Sequence, residues 1–263
     1  CICWLRATDE GRAMKLSVSG IDFSYRSTPI LDDVSFGVEP GELLCILGVN
    51  GAGKSTLIKC INRILAPQRG TVLVDGKAVF DMRQREVAQH LGYVPQKHPE
   101  TLLSVYETVL MGRRPHVQWA LRDSDYALVE QILHQLGLHN LAMRPVTHLS
   151  GGQLQKVIIA RALAQSPSVL LLDEPISNLD LKNQMEVMQL IKGITRTQQL
   201  AAVVTIHDLN MALRFGDKFL FLKDQKVQAI TDRAGFTPAL IETVYDQPVS
   251  LHQCNGHFVV VPA

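Results

Sequence analysis

The sequence predicts an α/β chain with a mainly parallel sheet, an antiparallel β part beside it and a helical insert. Three observations predict this. Short apolar runs at Leu43–Leu47, Leu91–Val94, Val169–Leu172 and Ala202–Ile206 read as strands buried on both faces, as a parallel sheet requires. Each run is followed by residues able to carry chemistry: a glycine-rich loop after the first, Pro95-Gln96, Asp173-Glu174 and His207 after the others. Ligands of doubly wound sheets collect beyond the carboxyl ends of the strands, so four such ends predict one assembled site. In the opening segment, Ile21, Phe23 and Tyr25 alternate with polar residues. Breaks at Ser27-Thr28-Pro29 and Glu39-Pro40-Gly41 then separate short strands, which is the antiparallel pattern.

The remaining elements follow in order. Asp75-Gly76 between Thr71–Val74 and Ala78–Phe80 is a hairpin signal. Residues from about 97 to 153 form the helical insert. In it, Ser104-x-x-Glu107 is a capping box opening a short helix that Gly112 ends. A second helix runs from Asp125 to Leu136, with Leu128, Ile132 and Leu136 on one face and Gly137 as its stop. Leu154, Val157 and Ile158 mark a helix after Leu149-Ser150-Gly151-Gly152-Gln153, and Leu181, Met185, Met188 and Ile191 mark another after Asp180. Thr237-Pro238 starts a last helix reaching Tyr245.

Composition narrows the function classes. The 263 residues are 46% hydrophobic and 19% charged, with a net charge of +1, so no electrostatic argument favours nucleic acid as a partner. No stretch of eighteen apolar residues exists, so no membrane-spanning helix is expected. Five cysteines (Cys1, Cys3, Cys45, Cys60 and Cys254) make no disulfide framework, which predicts a reduced, intracellular setting. Residues 1–13 read as a disordered extension, with Met14 as a natural start and Cys1-x-Cys3 incidental. His252, Cys254 and His257 are metal-ligand types at close spacing with no evident fourth ligand, and the expected reading is structural.

Gly48-Val49-Asn50-Gly51-Ala52-Gly53-Lys54-Ser55 has the spacing G-x-x-x-x-G-K-S directly after a strand. Glycines let successive backbone N–H groups surround phosphate oxygens, the lysine adds a point charge, and the serine hydroxyl can ligate Mg²⁺. A helix starting near Gly53 adds its positive end, so a nucleoside triphosphate is the expected ligand. A carboxylate at a strand end, Asp173, suits the metal side, and the adjacent Glu174 is placed to polarise water as a general base. The Ser150-x-x-Gln153 spacing also fits a plain capping box, and Asp180 a plain helix cap. His207 fits a strand-end histidine or a phosphate contact, Gln96 a metal or water contact or an ordinary loop amide, and Tyr25 an ordinary strand aromatic.

Together the phosphate loop, Leu149–Gln153 and Leu170-Leu171-Leu172-Asp173-Glu174-Pro175 resemble the signature of the ATP-binding cassette (ABC) family. The likeness runs from Met14 to the C-terminus with the motifs in the family's order. It implies a P-loop NTPase core, with a sheet part at 14–96 and 154–230, a helical signature subdomain at about 97–153 and a C-terminal segment at 231–263. It implies ATP and Mg²⁺ as cofactors. The nucleotide contacts it implies are Tyr25 (stacking on adenine), Gly48, Asn50, Gly51, Gly53, Lys54, Ser55, Thr56, Ser150, Gly151, Gly152, Gln153 and Asp180. Ser55, Gln96 and Asp173 are the implied metal-side groups. Glu174, His207, Lys54 and Gln96 are the implied catalytic ones.

The resemblance also implies partners. Walker A (48–55) of one copy and the signature of a second copy enclose one ATP head to tail, with Ser150 and Gly152 acting on the partner's nucleotide. Membrane permease subunits would be separate chains docking on the helical insert at the cytoplasmic membrane face, served by a secreted or periplasmic solute-binding protein. Ser104–Arg113 and Ile176–Gln184 are similar to segments of cassettes for iron–siderophore, haem and vitamin B12 import. Zinc, manganese or molybdate systems stay open. Ile176 stands where the family has threonine and Leu154 where it has arginine; neither change removes a phosphate ligand. A cassette acting on DNA or ribosomes is the other class, but it would carry coiled coils or a second cassette, and the net charge of +1 fits it poorly.

Overall fold

The computed structural model describes residues 14–97 and 101–263, so the predicted extension with Cys1 and Cys3 lies outside the described residues. The first half runs β1 (Leu16–Tyr25), β2 (Thr28–Val38), β3 (Leu43–Leu47), α1 (Lys54–Ile61), β4 (Arg69–Val74), β5 (Lys77–Ala78), α2 (Gln84–His90), β6 (Leu91–Val94), α3 (Val105–Leu110) and α4 (Asp123–Gln135). The second half runs α5 (Gly151–Leu163), β7 (Val169–Asp173), α6 (Leu181–Thr197), β8 (Ala201–Thr205), α7 (Leu209–Phe215), β9 (Lys218–Lys223), β10 (Lys226–Thr231), α8 (Pro238–Tyr245), β11 (Val249–Cys254) and β12 (His257–Pro262).

The main sheet has the order β10-β9-β3-β8-β7-β6. β3 pairs in parallel with β8 and β9, and β7 with β8 and β6, so the carboxyl ends of β3, β6, β7 and β8 share one edge. β3, β7 and β8 are buried along their whole length, which is why they read as unbroken apolar runs. The period-2 pleat divides their side chains between two cores. Leu43, Cys45, Leu47, Leu170, Leu172, Ala202 and Val204 face a cluster shared with α3 to α8. Leu44, Ile46, Val169, Leu171, Ala201 and Val203 face a second cluster shared with α1 and the small sheet β2-β1-β4-β5. Among the described residues, no helix is long and apolar enough to cross a membrane.

Several local expectations are corrected. The break expected at Ser27-Thr28-Pro29 falls at Arg26-Ser27, where Arg26 takes a positive φ of 54°, while Thr28 and Pro29 belong to β2. β2 is an edge strand, where a proline costs no ladder bond. The strand expected at Ala78–Phe80 stops at Ala78, because Val79–Asp81 turns as a 3₁₀ helix that carries Val79 into the core. Gly112 does not end α3. The chain continues as a 3₁₀ segment over Met111–His116, and a Cβ on Gly112 would lie 2.2 Å from the Arg161 carbonyl oxygen, so its smallness serves close packing on α5. Leu181, the first of the residues that mark α6, is 72% exposed at the helix start.

Candidate active site

Gly48, Gly51 and Gly53 all take positive φ, and α1 begins immediately after Gly53. Gly48 is the most constrained, since its Cβ would meet the Leu222 carbonyl oxygen of β9 at 2.1 Å. Its N–H donates to Tyr245 Oη at 3.0 Å. Lys54 is buried, and its ammonium donates to the carbonyls of Gly48 (2.8 Å) and Val49 (2.9 Å). Burial pushes that ammonium below its ordinary value, while Glu174 and Asp173 oppose the shift.

The other strand ends converge here. Asp173 Oδ1 accepts from Ser55 Oγ at 2.7 Å and from Thr205 Oγ1 at 3.0 Å. Glu174 takes a φ of 49°, sparsely populated for a residue with a side chain. Its N–H donates to Thr205 Oγ1 at 2.8 Å and its carbonyl accepts from Ser177 Oγ at 2.9 Å. One carboxylate oxygen of Glu174 accepts from Gln96 Nε2 at 2.5 Å, and the other meets His207 Nε2. A carboxylate only accepts, so Nε2 of His207 carries the proton in this pairing. Glu174 and His207 join Ile30, Asn50, Gly51, Gly53, Lys54, Ser55 and Thr56 around a cavity of about 190 Å³.

The remaining sequence-predicted residues lie elsewhere. Ser150 caps α5, accepting from the Gln153 N–H at 3.3 Å while Gln153 Oε1 accepts from the Ser150 N–H at 3.0 Å. Gly151 and Gly152 start that helix, where a Cβ would meet Leu179 and Asn183. Asp180 caps α6 through the Asn183 N–H at 2.8 Å. Tyr25 is 46% exposed and packs edge-on to Phe23, 4.8 Å between centroids. None of these residues lines the cavity, and neither does Gly48. His252 and Cys254 lie on β11 and His257 on β12; His252 Nε2 is 2.9 Å from Ser250 Oγ.

Two groups in this arrangement were not singled out from the sequence. Thr205 is fully buried and links Asp173 to Glu174; the signal available was a lone hydroxyl at the end of an apolar run. Tyr245 had no sequence signal, because its role depends on the return of the C-terminal helix.

The oxygen donors here suit Mg²⁺: a hydroxyl and a carboxylate beside a helix N-terminus are hard ligands. No group of three or more His, Cys, Asp or Glu able to hold a metal exists among the described residues.

Comparison with known proteins agrees with this geometry. The ABC transporter family model matches residues 31–177. An uncharacterized ABC transporter ATP-binding protein of Methanocaldococcus jannaschii is 49% identical over 95% of this chain and 98% of its own length. A cobalamin import ATP-binding protein of Halobacterium salinarum is 38% identical over 95% of this chain, which spans 64% of that relative. The iron(3+)-hydroxamate import ATP-binding protein of Bacillus subtilis is 36% identical over 88% of this chain and 87% of its own. Among solved structures, an inward-facing ABC transporter provisionally assigned to the metal-chelate type is 31% identical, with a TM-score of 0.83 over 95% of this chain and 97% of its own. A bacterial ABC transporter cassette solved as a dimer is 30% identical, with a TM-score of 0.73 over 84% of this chain and 100% of its own. The chain belongs to the ABC transporter family, as one of its ATP-hydrolysing cassettes.

Proposed function

We propose that this chain is the ATPase subunit of an importer for a metal chelate of the iron–siderophore, haem or cobalamin class, working on a separate membrane permease. The relatives named for hydroxamate and cobalamin import support that reading, as does the metal-chelate type transporter. The permease would dock on the helical insert at the cytoplasmic membrane face, and a solute-binding protein would deliver the chelate.

The observation that carries the reaction is the division of the site. Lys54, Glu174 and His207 face one cavity, while Ser150 to Gln153 of the same chain do not reach it. The signature is itself an anion receptor of serine, glycines and a helix start. Two copies arranged head to tail bring each signature onto the other's nucleotide, so the working unit is a pair. Within it, the phosphate loop and Lys54 hold the β- and γ-phosphates. Glu174, oriented by Gln96, orients and deprotonates the attacking water, and His207 contacts the γ-phosphate. Ser55 and Asp173 would hold Mg²⁺, which supplies charge neutralisation on the transferring phosphoryl group.

Replacing Glu174 by Gln keeps ATP binding but lowers turnover at least about a hundredfold, since general-base catalysis is worth roughly 10²–10⁴. That variant, given saturating ATP and Mg²⁺, elutes as a two-copy species by size exclusion; a monomer under those conditions counts against the pair. The cargo is tested by uptake of labelled ferric hydroxamate, haem or cobalamin into vesicles carrying the chain with its co-purifying permease. Transport of none of the three refutes the metal-chelate assignment.

A further inference from the structure

The C-terminal segment is tied to the site at two separated points. Tyr245, the last residue of α8, accepts the Gly48 N–H at the start of the phosphate loop. The chain then runs through the β11–β12 hairpin to Val260, whose N–H donates to Asn210 Oδ1 at 2.7 Å and whose carbonyl accepts from Asn210 Nδ2 at 3.3 Å. Asn210 lies in the first turn of α7, which Asp208 caps immediately after His207. The strap between these points is anchored. Ile241, Val244 and Val260 are buried in the sheet's core, and Lys223 of β9 donates to the Thr243 carbonyl and the Asp246 carboxylate at 2.7–2.8 Å.

The backbone of Gly48 shows what this anchorage does. Its carbonyl accepts from Lys54 and its N–H donates to Tyr245. Given the nucleotide reading above, on which this inference rests, Lys54 leaves the Gly48 carbonyl when phosphate arrives. The bond to Tyr245 is not part of that exchange. It keeps the loop entrance in place, against Leu222, while the lysine changes partners. At the other end, the two-bond amide clasp fixes α7, and with it the direction in which His207 leaves β8.

We infer that the segment from Thr237 to Pro262 is a positioning strap, with Tyr245 setting the phosphate loop for nucleotide binding and Asn210 setting the switch histidine for turnover. Neither residue touches the reacting atoms.

The test separates the two ends kinetically in the full chain. Tyr245→Phe keeps the ring and removes the acceptor; the KM for ATP rises about tenfold, the scale of one lost hydrogen bond with its partner left unpaired, while kcat stays within twofold. Asn210→Ala gives the opposite split, with kcat about tenfold lower and KM within twofold. A merely structural role lowers the melting temperature without that split. Both variants matching wild type, or either one showing any pattern other than its stated split, overturns the proposal. If the variants fail to fold, amide exchange in the nucleotide-free wild-type chain decides. A Gly48 N–H slowed at least a hundredfold relative to an unstructured glycine supports the tether, and exchange at the unstructured rate overturns it. That measurement needs no ATP, so a wild-type chain that binds no nucleotide refutes the reaction assigned above and leaves the strap to be judged by exchange alone.

Discussion

Replacing Thr205 by Val removes one oxygen from the centre of the site and leaves the side-chain volume nearly unchanged. That oxygen is fully buried, donates to Asp173 Oδ1 at 3.0 Å and accepts from the Glu174 N–H at 2.8 Å. A buried donor left without its partner costs about 1–3 kcal/mol, and Val offers no replacement acceptor. Taking about 2 kcal/mol and roughly 2–4 °C per kcal/mol for a domain of this order, the melting temperature falls about 4–8 °C. The effect on catalysis follows from Glu174's φ of 49°, a conformation that costs about 1–3 kcal/mol and is held by its bonds to Thr205 and Ser177. With one of those restraints gone, the carboxylate leaves the position where Gln96 and His207 meet it, and kcat falls about tenfold. The KM for ATP changes less than about threefold, because Thr205 does not line the cavity. Thermal denaturation and steady-state ATPase rates measure both effects, and Thr205→Ser, which keeps the hydroxyl, restores most of each. A Thr205→Val chain with wild-type kcat and an unchanged melting temperature refutes the link between the hydroxyl and the base.

Other substitutions probe different parts of the framework. Gly112→Ala places a methyl group 2.2 Å from the Arg161 carbonyl and 2.8 Å from the Ala164 Cβ, so the 3₁₀ segment must move off α5. Overpacking of this kind costs about 1–3 kcal/mol in urea unfolding, and an unchanged midpoint counts against the close-packing account. Asp125 accepts from the Arg122 N–H at 2.9 Å and from Arg113 Nε at 2.8 Å, and these bonds hold its carboxyl below the ordinary 3.8. A depressed carboxyl stabilises the fold above the unfolded value and loses that contribution as pH falls through the folded one. Asp125→Asn is therefore less stable than wild type by about 1–2 kcal/mol at neutral pH, and the gap narrows as pH falls from about 5 through the ordinary 3.8 and below. A gap that already closes between about pH 7 and pH 5 shows that another group is responsible.

The core of the site was legible because its chemistry is local in sequence. Residues 48–55, Asp173-Glu174 and His207 each follow a strand whose burial on both faces is written as an apolar run, and parallel pairing brings those ends to one edge. The boundaries of β3, β6 and α8 were readable for the same local reasons: a glycine-rich turn, a Pro-Gln exit and a Thr-Pro entry. What the sequence concealed depended on distant partners. Gly112 looks like a helix stop until α5 is seen against it, and Leu181 fits a helical stripe although the start of α6 is open to solvent. Tyr245 reaches a residue 197 positions earlier, and no periodicity or spacing encodes such a contact. Thr205 lay inside an apolar run, where one hydroxyl is easily taken for a strand-forming residue of no further consequence.

Lys54 already donates to two backbone carbonyls, so any group it takes up must displace them. An ammonium already satisfied exchanges its partners only for a guest that returns more than it displaces. A monovalent anion brings one charge and forfeits its hydration, so it gains little over a pair of carbonyl dipoles. A polyphosphate, the guest proposed above, brings several charges to the lysine and the glycine N–H groups at once. On that reading, the two carbonyl dipoles at Lys54 favour a multiply charged guest over a small monovalent anion.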